Sequence, residues 1–281
     1  MTSQYLITGA NGYVGSRLCE YLNRHKKKYI PLSRTGSRGI SLDLSLMEFP
    51  NTLFENINSI VHLAGLAHDS NNNQDRNKYN MINGYSTIKL AEQASKNGVK
   101  KFIYISSVKA EEDSVYGNSK KLAEDGLMDL AKNTDMCISI IRPSLVYSKN
   151  PTGNIKKLNS AIRLGLFPPP PEINNQRSLI HLDDLCIAID TISEKNHSTG
   201  SKFILTDNKI YSTRMIYEEL CFAQKKQLPS WTIPTSLVNI AVKVLPTAKK
   251  LFSNDRHDHS DLTGFGFSPI FSLKNINESL F

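Results

Sequence analysis

Apolar residues fall into two kinds of pattern that alternate along the first half of the chain. Short unbroken runs predict strands at Tyr5–Thr8, Tyr29–Leu32, Ser59–Ala64, Lys101–Ser106 and Met136–Arg142. Between them, apolar positions recurring every three or four residues predict helices over Val14–Arg24, Gln74–Lys96 and Tyr116–Ala131. Runs such as Phe102-Ile103-Tyr104-Ile105 are apolar on both faces, as the strands of a parallel sheet covered by helices on each side must be. The expectation is an α/β fold with a doubly wound parallel sheet. Ligands of such sheets bind beyond the carboxyl ends of the strands, so the residues that follow each strand are the ones to inspect.

After Pro143 the pattern loosens. A loop through Asn150-Pro151-Thr152-Gly153 leads to a predicted helix at Asn154–Leu164 and then to Pro168-Pro169-Pro170-Pro171, which suits neither helix nor central strand. A short element at Ser178–His181, a helix from Asp183, a strand near Phe203–Thr206 and helices near Thr213–Ala223 and Thr235–Lys250 follow. Residues 1–150 read as the sheet domain, completed by segments near 178–206, and residues 151–281 mainly as a smaller, mostly helical C-terminal lobe. The most apolar stretch, Leu237 to Leu245, is interrupted by Asn239 and Lys243 and reads as an amphipathic helix, packed on the core in preference to a membrane. The run Asn71-Asn72-Asn73 reads as a polar loop.

Composition narrows the field. The 281 residues carry a formal charge of +8, which suits an anionic partner. The lysines are scattered, however, and form no basic stripe interleaved with aromatics, so nucleic acid is not expected. Cys19, Cys137, Cys186 and Cys221 are far apart in apolar segments, match no zinc or redox spacing, and read as buried thiols of a reducing compartment. A strand starts at once, leaving no room for a signal peptide, and no apolar run is long enough to span a bilayer. A cytoplasmic location without a metal is expected.

The first strand runs into Gly9-Ala10-Asn11-Gly12-Tyr13-Val14-Gly15 and then a helix. Glycines let the backbone approach a pyrophosphate, and the helix start offers free N–H groups, so Gly9, Asn11, Gly12, Tyr13, Val14 and Gly15 are dinucleotide-binding candidates in a Rossmann-type fold. The second strand ends in Leu32-Ser33-Arg34 with Arg38 behind it, and no acid occurs between Glu20 and Asp43. An acid there serves the ribose of NAD and a cation serves the 2′-phosphate of NADP, so Ser33 and Arg34 favour NADP(H), with NAD possible. Asp43 and Leu44 follow a further apolar segment, where a carboxylate can accept from the adenine amino group; a plain loop aspartate is the alternative.

The strand at Phe102–Ile105 ends in Ser106-Ser107, and nine positions later Tyr116-Gly117-Asn118-Ser119-Lys120 opens a helix. Tyr116 and Lys120 share a helix face. An ammonium beside a phenol lowers its pKa, so Tyr116 can exchange a proton with a substrate oxygen while Ser107 holds that oxygen. Tyrosine and lysine four apart recur at Tyr85 and Lys89, but no serine-ended strand precedes that pair, and Tyr85 reads as structural.

Taken together these residues resemble the extended short-chain dehydrogenase/reductase superfamily in its nucleotide-sugar epimerase, dehydratase and reductase branch. The motifs are Thr8 to Gly15, His62-Leu63-Ala64-Gly65, Asn83-Gly84-Tyr85-Ser86-Thr87, Ser106-Ser107, Tyr116 to Lys120, Arg142 to Tyr147, Arg177 to Asp184 and Gly266-Phe267-Ser268-Pro269, in the family's order. The resemblance implies that His62, Leu63, Ala64 and Gly65 line the cofactor, with Ser106 nearby. It implies that Asn83 braces the site behind Tyr116 and that Pro143 and Ser144 contact the nicotinamide half. It further implies that Asn154 and Arg177, with Lys109, face a nucleotide-diphosphate sugar. Arginine suits bidentate phosphate contacts; a rim ion pair for Arg177 and a helix cap for Asn154 are the plain alternatives. His181 reads as a satisfied structural histidine and Asp183 or Asp184 as the cap of the next helix. Relatives often form homodimers through helices corresponding to Gln74–Lys96 and Tyr116–Ala131.

The segment between Ser107 and Tyr116 is short, Ser148 stands where Val-Tyr-Gly would end, and the NAD-type acid is missing. Val108-Lys109 replaces the acid pair a 4,6-dehydratase would want, and Glu111, Glu112 and Asp113 read as solvated. The balance favours a 4-ketoreductase over a 4-epimerase with tightly bound NAD. The intact serine, tyrosine and lysine disfavour a non-catalytic NADP sensor or scaffold. Leu251-Phe252-Ser253 and Gly266-Phe267-Ser268-Pro269 look similar to reductases acting on UDP-4-keto-6-deoxy-N-acetylhexosamines in bacterial surface-polysaccharide synthesis.

Overall fold

The computed structural model describes residues 4–37, 39–67 and 75–280. Arg38, Gln74 and the Asn71-Asn72-Asn73 run therefore lie outside the described residues. The elements are β1 (Gln4–Thr8), α1 (Tyr13–Arg24), β2 (Lys28–Ser33), β3 (Ile40–Ser41), β4 (Ser59–His62), α2 (Arg76–Tyr79), α3 (Ser86–Lys96), β5 (Lys101–Ile105), α4 (Val115–Ala131), β6 (Cys137–Pro143), β7 (Leu145–Tyr147), α5 (Gly153–Arg163), β8 (Leu179–His181), α6 (Leu182–Glu194), β9 (Ser201–Leu205), α7 (Thr213–Ala223), α8 (Thr235–Val244) and α9 (Pro246–Phe252).

Seven strands form one parallel sheet in the order β3-β2-β1-β4-β5-β6-β9. The order reverses at β1, whose Thr8 sits level with Leu32 on one side and His62 on the other. That reversal opens the crevice in which such sheets bind ligands. Alternate residues of each strand feed opposite layers. Tyr5, Ile7, Ile103 and Ile141 pack toward Leu18, Leu22 and Ile189, whereas Leu6, Phe102, Tyr104 and Ile140 pack toward Leu90 and Leu127. A third core, with Tyr147, Leu179, Tyr211 and Leu220, joins the two-stranded β7–β8 sheet to α5 and α7 in the lobe.

Five local expectations are corrected. The long Gln74–Lys96 helical pattern is interrupted by a π-helical segment, Asn80–Tyr85, between α2 and α3. The helix expected over Thr235–Lys250 is two helices. Pro246 has no N–H to continue α8 and drives Leu245 into an extended conformation (φ −110°, ψ 114°), so the chain turns and restarts at α9. Neither Asp183 nor Asp184 caps α6. The cap is His181, whose Nδ1 accepts from the Asp183 N–H. Asp183 instead pairs with Arg17, and Asp184 accepts from the backbone of Ile270 and Phe271. His181 is satisfied at that nitrogen only, because its buried Nε2 finds no partner among the described residues. Cys137 is half-buried, whereas the other three cysteines are buried.

Candidate active site

The glycine turn is fixed by close backbone approaches. Gly9 adopts φ +70°, and a Cβ there would lie 2.7 Å from the Ala64 nitrogen. A Cβ on Gly15 would stand 2.2 Å from the Gly9 carbonyl oxygen. Any side chain at either position would wedge α1 away from β1 and β4. Gly12 caps α1 without a side chain, and no acid occupies the first turn, so the helix start faces the crevice without an internal carboxylate. Tyr13 turns aside and its hydroxyl meets Ser148 Oγ at 2.7 Å, which gives the departure at Ser148 a structural role.

At the end of β2 the Asn11 amide nitrogen lies within reach of three hydroxyls, Ser33 and Ser37 at 2.8 Å and Thr35 at 3.1 Å. Ser33 also receives the Gly36 N–H. Arg34 is exposed beside this cluster, and its carbonyl is held by Ser41 Oγ. Asp43 caps the short turn at Leu44 by accepting from the Ser45 N–H and hydroxyl, and these bonds, with Arg34, hold its carboxyl below the usual range. Leu44 is buried, with its carbonyl accepting from Ser86.

Beyond β4, Ala64 N–H donates to Thr8 Oγ1, and Leu63 N–H to the Thr8 carbonyl. Gly65 passes so close to Asn83 that a Cβ would touch its Oδ1 at 2.7 Å. The Asn83 amide clamps this loop, accepting from the Leu66 N–H and donating to the Leu66 carbonyl and to Ser119 Oγ. His62 does not line the crevice as expected. It is buried between Thr8 and Thr87, and burial lowers its pKa to about 3, which leaves it neutral. At the end of β6, Ser144 donates its N–H to the Leu205 carbonyl, while its buried Oγ has no partner among the described residues.

Ser107, Tyr116 and Lys120 converge above β5. Ser107 leaves the strand in an extended conformation and accepts from the Lys109 N–H. Ser114 caps α4 through the Gly117 N–H, which sets Tyr116 in the first turn. Gly117 allows that turn to sit against the preceding loop, since a Cβ would meet the carbonyl oxygens of Lys109 and Glu112 at 2.3 and 2.4 Å. The Tyr116 phenol lies close enough to Ser107 for the serine hydroxyl to act on its titration. Its pKa moves opposite to the expectation. Burial pushes the phenol up to about 12, with Ser107 opposing and Tyr79 and Glu112 adding to the rise. The Lys120 ammonium is turned toward the Ile105 carbonyl at 3.0 Å and lies over the Tyr104 ring, and burial lowers it to about 8.

Ser106 also differs from expectation. Its hydroxyl donates to Glu124 at 2.6 Å, beneath the crevice. Glu124 is fully buried and also takes Arg142 through Nε and Nη2 at 2.8 and 2.5 Å, with Lys202 at 3.4 Å. Glu111, expected to be solvated, reaches Arg142 from the surface side. Sequence reasoning missed this cluster, although Tyr116, Lys120 and Glu124 recur every four residues on one face of α4.

On the lobe side Lys109 pairs with Glu112 at 3.2 Å, and Asn154 is exposed in the first turn of α5, whose cap position is Thr152. The Arg177 guanidinium donates to the carbonyls of Lys250 and Leu251 at the end of α9 and lies 3.5 Å from Asp255. The structure thus brings Ser107, Tyr116 and Lys120 together with the crevice. It holds Arg177 at the lobe rim beside Asp255, with Lys109 paired separately to Glu112.

The sheet order, the glycine turn and the serine–tyrosine–lysine set define a nicotinamide-dependent enzyme of the extended short-chain dehydrogenase/reductase type. The sequence model of the NAD dependent epimerase/dehydratase family matches residues 5–205, and the chain belongs to that family. It is 32% identical over 266 residues to a UDP-glucose 4-epimerase of Vibrio cholerae, covering 84% of this chain and 80% of that protein. It is 31% identical over 186 residues to the UDP-2-acetamido-2,6-beta-L-arabino-hexul-4-ose reductase of Pseudomonas aeruginosa, covering 64% of this chain but 46% of that one. The fold matches that of the UDP-glucose 4-epimerase of Thermotoga maritima with UDP-glucose, at a TM-score of 0.77 and 18% identity over 97% of this chain and 96% of that one.

Proposed function

We propose that this enzyme reduces the 4-keto group of a nucleotide-diphosphate sugar with NADPH. The observation that carries the reading is the corner after β2. Amide and hydroxyl groups of Asn11, Ser33, Thr35 and Ser37 gather there beside the exposed Arg34, and from Ser33 to Leu42 the sequence has no carboxylate. Hydroxyls and a cation suit a 2′-phosphate, and no carboxylate stands there to accept from both hydroxyls of a ribose diol. The crevice fits a dinucleotide more broadly, because its floor is the Gly9–Gly15 cradle that a Cβ would fill and its far wall holds the Ser144 hydroxyl, which has no partner among the described residues.

Bound there, the nicotinamide supplies the hydride. Tyr116, protonated at any pH near neutral, donates its proton to the oxygen of the reduced carbon, and Ser107 holds that oxygen through its own hydroxyl. Lys120 restores charge balance beneath them. Asn154 and Arg177 take the diphosphate and Lys109 the sugar side, with Arg177 exchanging the carbonyls of α9 for phosphate oxygens. A UDP-linked 4-keto-6-deoxy-hexosamine is the substrate class, supported by the Pseudomonas relative. The second reading, a 4-epimerase that keeps NAD bound, is favoured by the longer match to the Vibrio relative.

Nucleotide released on denaturing the purified enzyme, and titration with NADPH and NADH, test the choice. The reductase reading expects little released nucleotide and tighter NADPH binding, with Arg34→Ala weakening NADPH roughly tenfold and NADH little. Stoichiometric NAD released from the protein would favour the epimerase.

The pH profile is a second expectation. Lys120 loses its charge above about 8 while Tyr116 keeps its proton to about 12. Reductive kcat/KM is therefore expected to fall roughly tenfold per unit above that point. Stability moves the other way. Between about 8 and the ordinary 10.5 the unfolded chain holds the lysine proton that the folded chain has released, so this group's contribution to stability rises with pH. A rate loss accompanied by unfolding over the same range would remove Lys120 as its cause.

A further inference from the structure

The helix expected to pack on the core faces outward instead. In α8 only Val238 is buried, while Leu237, Ile240 and Val244, at spacings that share one helix face, are 56%, 58% and 70% exposed. Trp231 precedes the helix and Leu245 ends it, at 57% and 51% exposed. From residue 220 to 254 the sequence has five lysines and no acid, and Lys243, Lys249 and Lys250 stand exposed on α8 and α9. The segment is well anchored. The Ile233 N–H donates to the Pro169 carbonyl, and Arg177 and Thr213 hold the carbonyls that end α9.

We propose that α8 and α9 form a docking surface for an anionic lipid bilayer. A stripe of aliphatic side chains with a tryptophan at its edge enters the headgroup boundary, while surrounding lysines reach the phosphates with their apolar stems buried. Charge selects this occupant. A second copy of the chain would bring lysine against lysine, whereas an anionic leaflet meets the same lysines with opposite charge. At ten residues α8 lies on a membrane and does not cross it. Among the described residues no helix is long and apolar enough to span one. The surface goes beyond the proposed reaction and is read without turnover, so either can fail alone.

The test is cosedimentation of the full chain with phosphatidylcholine vesicles, with and without phosphatidylglycerol, at low and high salt. Trp231 is the only tryptophan, so its emission reports the contact independently. The expected result is binding to anionic vesicles roughly tenfold or more tighter than to neutral ones, weakened by salt, with a blue shift of Trp231. Leu237→Ser/Ile240→Ser/Val244→Ser is expected to weaken binding roughly tenfold or more, and Lys243→Gln/Lys249→Gln to weaken it on anionic vesicles alone. Both variants should keep the wild-type melting temperature and turnover of a soluble nucleotide sugar. Failure of the wild-type chain to bind anionic vesicles, or equal binding by the triple-serine variant, would overturn the proposal. So would lipid-free self-association that the serine substitutions disperse, which would assign the face to a second copy.

Discussion

Tyr116→Phe is expected to lower kcat by roughly 10²–10⁴-fold while leaving cofactor and nucleotide-sugar affinity close to wild type. The phenol is half-buried beside Ser107, and desolvation raises its pKa to about 12, so it enters the reaction as a proton donor. Removing the hydroxyl leaves the ring and its edge-on packing with Tyr79 in place, so the fold should not suffer. Stopped-flow binding and steady-state rates on the same preparation separate the two effects. A Phe variant reducing substrate at near wild-type rate would show that the proton comes from elsewhere.

Glu124→Ala is expected to cost about 3–5 kcal/mol of stability. The carboxylate is fully buried and serves Ser106, Arg142 and Lys202 at once. Hydrogen bonds from Arg142 and Ser106 offset its burial and hold its pKa below the ordinary 4.5. Taking it away strands a buried guanidinium whose remaining partner, Glu111, sits at the surface. The melting temperature should fall by roughly 10 °C for a chain of this size. Because Glu124 stands under the crevice and touches no reacting group, kcat at a temperature where the variant is folded should change far less than for Tyr116→Phe. A melting temperature within a degree or two of wild type would mean the cluster does not hold β6 to α4.

The alternating pattern was enough to read the sheet, since buried parallel strands must be apolar on both faces and their crossover helices amphipathic. The glycine turn and the Ser107, Tyr116 and Lys120 set were legible for a related reason: each depends on local spacing at the end of one strand. What escaped was long-range. Glu124 and Arg142 are 18 positions apart and meet only because α4 lies across β6. The direction of the Tyr116 shift was misread because sequence spacing put Lys120 beside the phenol, whereas the ammonium is drawn to the Ile105 carbonyl and burial dominates. The outward face of α8 was misread for a third reason. Amphipathic spacing shows that a helix has an apolar stripe and leaves open whether protein covers it.

Hydride transfer to the sugar is the central claim, and NADPH deuterated at the nicotinamide C4 tests it most directly. Mixed with a UDP-4-keto-6-deoxy-hexosamine, the enzyme should oxidise one NADPH per sugar reduced and place deuterium on C4 of the product. Inversion of a 4-hydroxy sugar with no net NADPH oxidation and no deuterium in the product would contradict it and make the enzyme an epimerase.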